Sequence, residues 1–361
     1  MNIKGVCYDT GRAYGGGFVT RRVFDPAMTR RELRIIRDDL HCNAVRFQGT
    51  DTGRLMTAAT GALELGGLQV WLSPELFKKS RGTTIAYLAQ AAIAAEPLHE
   101  QFPGRLVFCV GTESSLFTHG IVPGGTTNQK IASIRRAGLN SGPYANELQA
   151  FLAEASDTVR KAFHGPLTYA STPFEVVDWS LFDVIGVDHY RNSKNDHRYA
   201  ETIRRYIGQG KPVVNTEFGH SSYRGDRPGM MEFGEVDMMS LALHRIPLAG
   251  RLIRPWLRRG TYVRDEEHQA RELTKTLAIL DAEGADGAFI WTFADPWLTH
   301  SPEPRHDLDM TSTALVKTCE RGRGTGGLPW EPKPAFAAVA SFYAGNATHS
   351  SPTAPDPASS P

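Results

Sequence analysis

The feature that most constrains this chain is a rhythm: short apolar runs alternate with helix-patterned stretches along nearly its whole length. Such alternation belongs to βα units arranged in a parallel sheet. The candidate strands cover residues 3–8, 44–47, 69–72, 106–110, 167–170, 184–187, 212–215 and 287–291. Each is mostly apolar or β-branched, as strands buried on both faces should be. Eight such units in 361 residues predict one (β/α)₈ barrel, a single α/β domain over residues 1–345.

The stretches between the strands carry helix signals. Asp25-Pro26 offers an N-cap followed by Pro at the first helical position. Thr83-Thr84 precedes an Ala-rich helix, and Gly142-Pro143 a helix ending near Phe163. Asp265 precedes a helix with Leu273, Leu277 and Leu280 on one face and Gly284 as terminator. Two longer connections, 116–142 and 220–264, follow the fourth and seventh strands. Loops at strand C-termini are where a barrel builds its site. Beyond Tyr343 the composition turns to Ala, Ser, Thr, Pro and Asp, and 346–361 reads as a disordered tail.

Charge excludes some function classes. Forty basic and 39 acidic residues give a net charge of +1, without the basic excess of a nucleic-acid surface. No apolar run reaches the ~18 residues of a membrane span, and no secretion signal is visible, so a cytoplasmic protein is expected. Cys7, Cys42, Cys109 and Cys319 match no zinc spacing and read as reduced thiols. Neither a phosphate loop nor a G-x-S-x-G elbow is present. No cofactor and no metal are expected.

Two strands end in a carboxylate: Val110-Gly111-Thr112-Glu113 after the fourth and Asn215-Thr216-Glu217 after the seventh. Glycosidic cleavage needs one carboxylic acid to protonate the leaving oxygen. It needs a second carboxylate to attack the anomeric carbon or to activate water. Two carboxyls facing each other across a pocket supply both, if their surroundings push their proton affinities apart. Taken singly, either Glu could equally be a structural partner of an arginine. Arg46 ends the second strand and could hold a carboxylate ionised. Asp188-His189-Tyr190 ends the sixth; the tyrosine hydroxyl could orient a nucleophile, and His189 could bind sugar or simply pack. Trp291 offers an indole face to a sugar ring or to the core, while Glu75 and Asp9 are candidates for hydroxyl binding.

The segments NAVRF (43–47), VGTE (110–113), DVIGVDHY (183–190), KPVVNTEFG (211–219), GAFIWTFADP (287–296) and WEPKPAFAAV (330–339) together resemble the large clan of retaining glycoside hydrolases with a (β/α)₈ barrel. By that resemblance Glu113 is the acid/base and Glu217 the nucleophile. Arg46 and Tyr190 orient the nucleophile, and Trp291 lines the subsite of the reacting sugar. A looser resemblance is to a bacterial branch whose members are sometimes labelled abortive-infection proteins, a label that explains none of these residues. One departure matters: the clan places Asn before the acid/base, where this chain has Thr112. Either another group reads the sugar 2-position, or the substrate is unusual there, or the barrel has left glycoside hydrolysis. The expected partner is a small-molecule glycoside. The alternatives are elimination or cyclisation on a specialised metabolite, and a non-catalytic barrel that binds a sugar or a protein.

Overall fold

The computed structural model describes residues 1–137, 143–224, 235–246, 248–258, 262–319 and 324–345. Eight parallel strands close into a barrel: β1 Ile3–Gly11, β2 Ala44–Gly49, β3 Gln69–Pro74, β4 Leu106–Thr112, β5 Leu167–Ser171, β6 Val184–Asp188, β7 Val213–Phe218 and β8 Gly287–Ile290. Chain order is also spatial order, with β8 pairing back onto β1. Every expected strand is present, and most run further toward their C-terminal ends than the apolar runs did. The added residues are the polar ones of the mouth, such as Gln48, Ser73 and Glu217.

The helices include α1 Pro26–Asp38, α2 Thr52–Leu65, α3 Arg81–Gln101, α4 Pro143–Arg160, α5 Tyr199–Ile207, α6 Glu266–Ala282 and α7 Pro334–Gly345. Asp25 caps α1, its carboxylate accepting from the amides of Ala27 and Met28, with Pro26 at the first position. Asp265 caps α6 through the amide of His268, and Gly284 follows its end with φ of 85°. The cap of α3 is Ser80 rather than Thr83, because the Ser80 hydroxyl accepts from the Thr83 amide. Between β5 and β6 the described residues form a single helical turn, Trp179–Leu181. After β8, Thr299–His300, Val316–Cys319 and Trp330–Pro332 form a separate small sheet. The proposed tail, 346–361, lies outside the described residues.

Strand alternation divides the core in two. Val45, Phe47, Val70, Leu72, Phe108 and Val110 face outward and pack on Leu33, Leu55, Leu88 and Leu277 of the helices. Cys7, Ala44, Trp71, Val107, Val214 and Phe289 fill the barrel itself. Each fully buried side chain of this size contributes about 1.5–3 kcal/mol, so Leu277→Ala would cost several kcal/mol of stability. The barrel is therefore packed solid below its mouth, and open chemistry is confined to the strand ends.

Two irregularities aim the mouth. In β7, Val214 faces inward and Val213 and Phe218 outward. Strict alternation would send Glu217 outward with Val213. Instead the register against β6 runs Val187–Asn215 and then Asp188–Glu217, so Thr216 is an extra residue. The bulge returns Glu217 to the interior. A second bulge lies in β4, where Cys109–Thr168 is followed by Thr112–Ala170. Gly111 takes it up at φ of +128°, in a region only glycine enters without strain.

Candidate active site

The site is built on Arg46. β2 is regular, so its inward positions are Ala44, Arg46 and Gln48 in sequence. The guanidinium of Arg46 is fully buried. Its Nη1 donates to Glu217 Oε1 at 2.8 Å and to the Thr216 carbonyl at 3.0 Å. Its Nη2 donates to Thr112 Oγ1 at 2.7 Å and to Ser73 Oγ at 3.1 Å. Asp188 Oδ1 lies 3.6 Å from Nη1 and accepts from the Thr216 hydroxyl at 2.6 Å.

Glu217 is the most fully gripped acid. Besides Arg46, Gln48 Nε2 donates to its Oε1 at 2.5 Å, and the Tyr190 hydroxyl donates to Oε2 at 3.2 Å. Three donors, two from β2 and one from just past β6, converge on one carboxylate. Gln48 Nε2 also donates to Glu75 Oε1 at 2.9 Å, and Gln48 Oε1 accepts from the Trp291 indole at 3.0 Å.

Glu113 is held differently. Its carboxyl receives no hydrogen bond among the described residues, while its backbone is fixed: φ is 43° and ψ 47°, and its amide donates to the Ala170 carbonyl at 2.8 Å. Burial raises its pKa well above the usual carboxylate range, and the charges of Asp188, Glu217 and Glu175 add to the rise against the opposing Arg46. Asp188 is raised by burial and then by Glu217, against Arg46. Burial pushes Glu75 up to about 7. Too few cations serve too many acids here, so some of the acids must keep protons.

Arg46, Glu75, Thr112, Asp188, Tyr190 and Glu217 thus meet in one network. Three other candidates have different surroundings. His189 stacks on Tyr199 of α5 with ring centroids 4.3 Å apart, so it packs on the helix side of β6, and burial lowers its pKa to about 4. One face of Trp291 is covered by the Arg12 guanidinium, 4.6 Å from the ring centroid, and the side chain is only 2% exposed. Asp9 accepts from the Gly11 amide at 2.8 Å and lies 3.9 Å from Arg12.

Gln48, Ser73, Arg12 and Glu175 were not foreseen. Gln48 was legible: it lies two residues beyond Arg46 on a regular strand and must share its face. Ser73 has the same relation to the inward Trp71. Arg12 and Glu175 sit beyond the regular strand positions, where no periodicity points at them.

No protein-family model and no curated protein sequence matches this chain. Solved structures do. A GH113 beta-1,4-mannanase superposes with a TM-score of 0.56 at 16% identity, covering 95% of this chain and 99% of that one. The GH113 beta-mannanase of Alicyclobacillus acidocaldarius gives 0.55 at 17%, covering 95% and 97%. A GH2 beta-galacturonidase from Eisenbergiella tayi gives 0.55 at 16%, with 95% of this chain on 51% of that one. The chain has the barrel fold of these glycoside hydrolases. At such identity the likeness is one of fold, and function must be argued from the site. Among the described residues no His, Cys, Asp and Glu group has the arrangement of a metal site, and no helix is long and apolar enough to cross a membrane.

Proposed function

We propose that this chain is a glycosidase or transglycosidase of the retaining type, acting on a small glycoside with Glu217 as nucleophile and Glu113 as acid/base. The observation that carries this reading is the contrast between two carboxyls at one barrel mouth. Glu217 accepts from Arg46, Gln48 and Tyr190, whereas Glu113, half-buried beside the acids Asp188, Glu217 and Glu175, has no donor to its carboxyl among the described residues. Such divergence divides the labour of glycoside cleavage. Glu113 gives its proton to the leaving oxygen as Glu217 attacks the anomeric carbon. The glycosyl ester so formed removes the negative charge of Glu217. Glu113, now carrying one less charged neighbour, can take a proton from the incoming water, which attacks and frees Glu217.

A panel of aryl glycosides tests this, with the anomeric configuration of the first product followed by proton NMR. Retention, together with a trapped glycosyl ester on Glu217, is expected. Inverted product, or sugar binding without turnover across the panel, would overturn the reading.

A further inference from the structure

Glu113 has a left-handed backbone, which costs a non-glycine residue roughly 1–3 kcal/mol and persists only where its surroundings enforce it. The enforcement comes from a cluster outside the Arg46 network. The Ser114 amide donates to the Tyr169 hydroxyl at 2.7 Å. The Ser115 amide and hydroxyl both donate to Glu175 Oε1, at 3.0 and 2.5 Å. Tyr169 donates to Glu175 at 3.0 Å, and the Thr172 amide closes the set on Oε2 at 3.0 Å. Glu175 and Tyr169 are buried, and they belong to β5 and the connection that follows it. The two residues after Glu113 are therefore tied to the neighbouring strand by side chains that bypass Glu113 itself.

We propose that Tyr169 and Glu175 are positioning residues for Glu113: they pin the Ser114-Ser115 turn and so set where the Glu113 carboxyl stands in the mouth. The inference rests on the role assigned to Glu113 above. Burial raises the pKa of Glu175, but every group that meets it is a donor, two amides and two hydroxyls, and these bonds pull back toward the ionised form. Its charge joins those of Asp188 from β6 and Glu217 from β7 in favouring the protonated acid, against Arg46 from β2.

Glu175→Gln removes the charge and sets an amide against two N–H donors. In that variant kcat/KM should fall about tenfold or more for glycosides with poor leaving groups, yet stay within about threefold for dinitrophenyl glycosides, which need no proton. The alkaline limb of the pH profile should move to lower pH. Tyr169→Phe and Ser115→Ala, milder changes, should give the same leaving-group split to a lesser degree. Independently of turnover, the Glu113 carboxyl can be titrated by carbon-13 NMR in glutamate-labelled protein, assigned through Glu113→Gln. Its midpoint should fall by about one pH unit in Glu175→Gln. Equal losses on both substrate types with an unmoved Glu113 titration would show a structural role only and overturn the proposal. If the natural protein cleaves no glycoside, the functional reading fails while the titration still decides this one.

Discussion

The two catalytic candidates stand on one barrel mouth but are held by opposite means. Glu217 sits in a strand, and its carboxylate is fixed from outside by Arg46, Gln48 and Tyr190. Glu113 stands past its strand; its carboxyl meets no donor among the described residues, while its backbone and the next two residues are fixed. The difference teaches a general point. A carboxylate that must stay charged gains from saturation with donors, since each bond favours the ionised form. A carboxyl that must hold a proton and then release it cannot be saturated, so its position has to come from the main chain.

The sharpest way to break this comparison is to remove each group in turn. Glu217→Ala should abolish turnover with every substrate, a loss of roughly 10⁴-fold or more, measured as kcat on glycosides with both good and poor leaving groups. A variant that stays active on either would show that Glu217 is not the nucleophile.

Glu113→Ala should cost about 10²- to 10⁴-fold on poor leaving groups and far less in glycosyl transfer from dinitrophenyl glycosides. Added azide should then speed the second step and give a glycosyl azide of retained configuration. An inverted azide would reverse the roles of the two acids.

A smaller effect comes from the acid crowding between them. Burial lifts Glu75 from the ordinary 4.5 to about 7. A carboxyl raised in the folded protein binds more protons there than in the unfolded chain, so its contribution is complete below about pH 4.5 and lost as pH rises through about 7. Thermal stability should decline between pH 5 and 8, by on the order of 2 kcal/mol from this group. In Glu75→Gln that part of the decline should flatten; an unchanged slope of Tm against pH would assign it to Asp188 or Glu113 instead.

The smallest effect is expected far from the mouth. Residues 346–361 offer little apolar surface, so truncation after Gly345 should shift Tm by about a degree or less, and kcat not at all. A large shift would mean that the segment docks on the barrel.

Much of this was written in the sequence. The eight strands were legible because strands buried on both faces must be continuously apolar, and no other arrangement covers eight of them so economically. The caps Asp25 and Asp265 were legible because capping is local chemistry. Arg46 could be assigned to the interior, and Gln48 with it, because β2 keeps strict alternation. What the sequence did not determine is the facing of Glu217. Period-two reasoning from Val214 sends it outward, and only the bulge at Thr216, a matter of register between neighbouring strands, turns it in. The covering of Trp291 by Arg12 and the reach of Glu175 to Ser115 likewise join residues far apart in the chain. Local pattern reports which face a residue occupies while a strand is regular; where strands slip past one another by a residue, the closed barrel decides, because pairing with both neighbours must be satisfied at once.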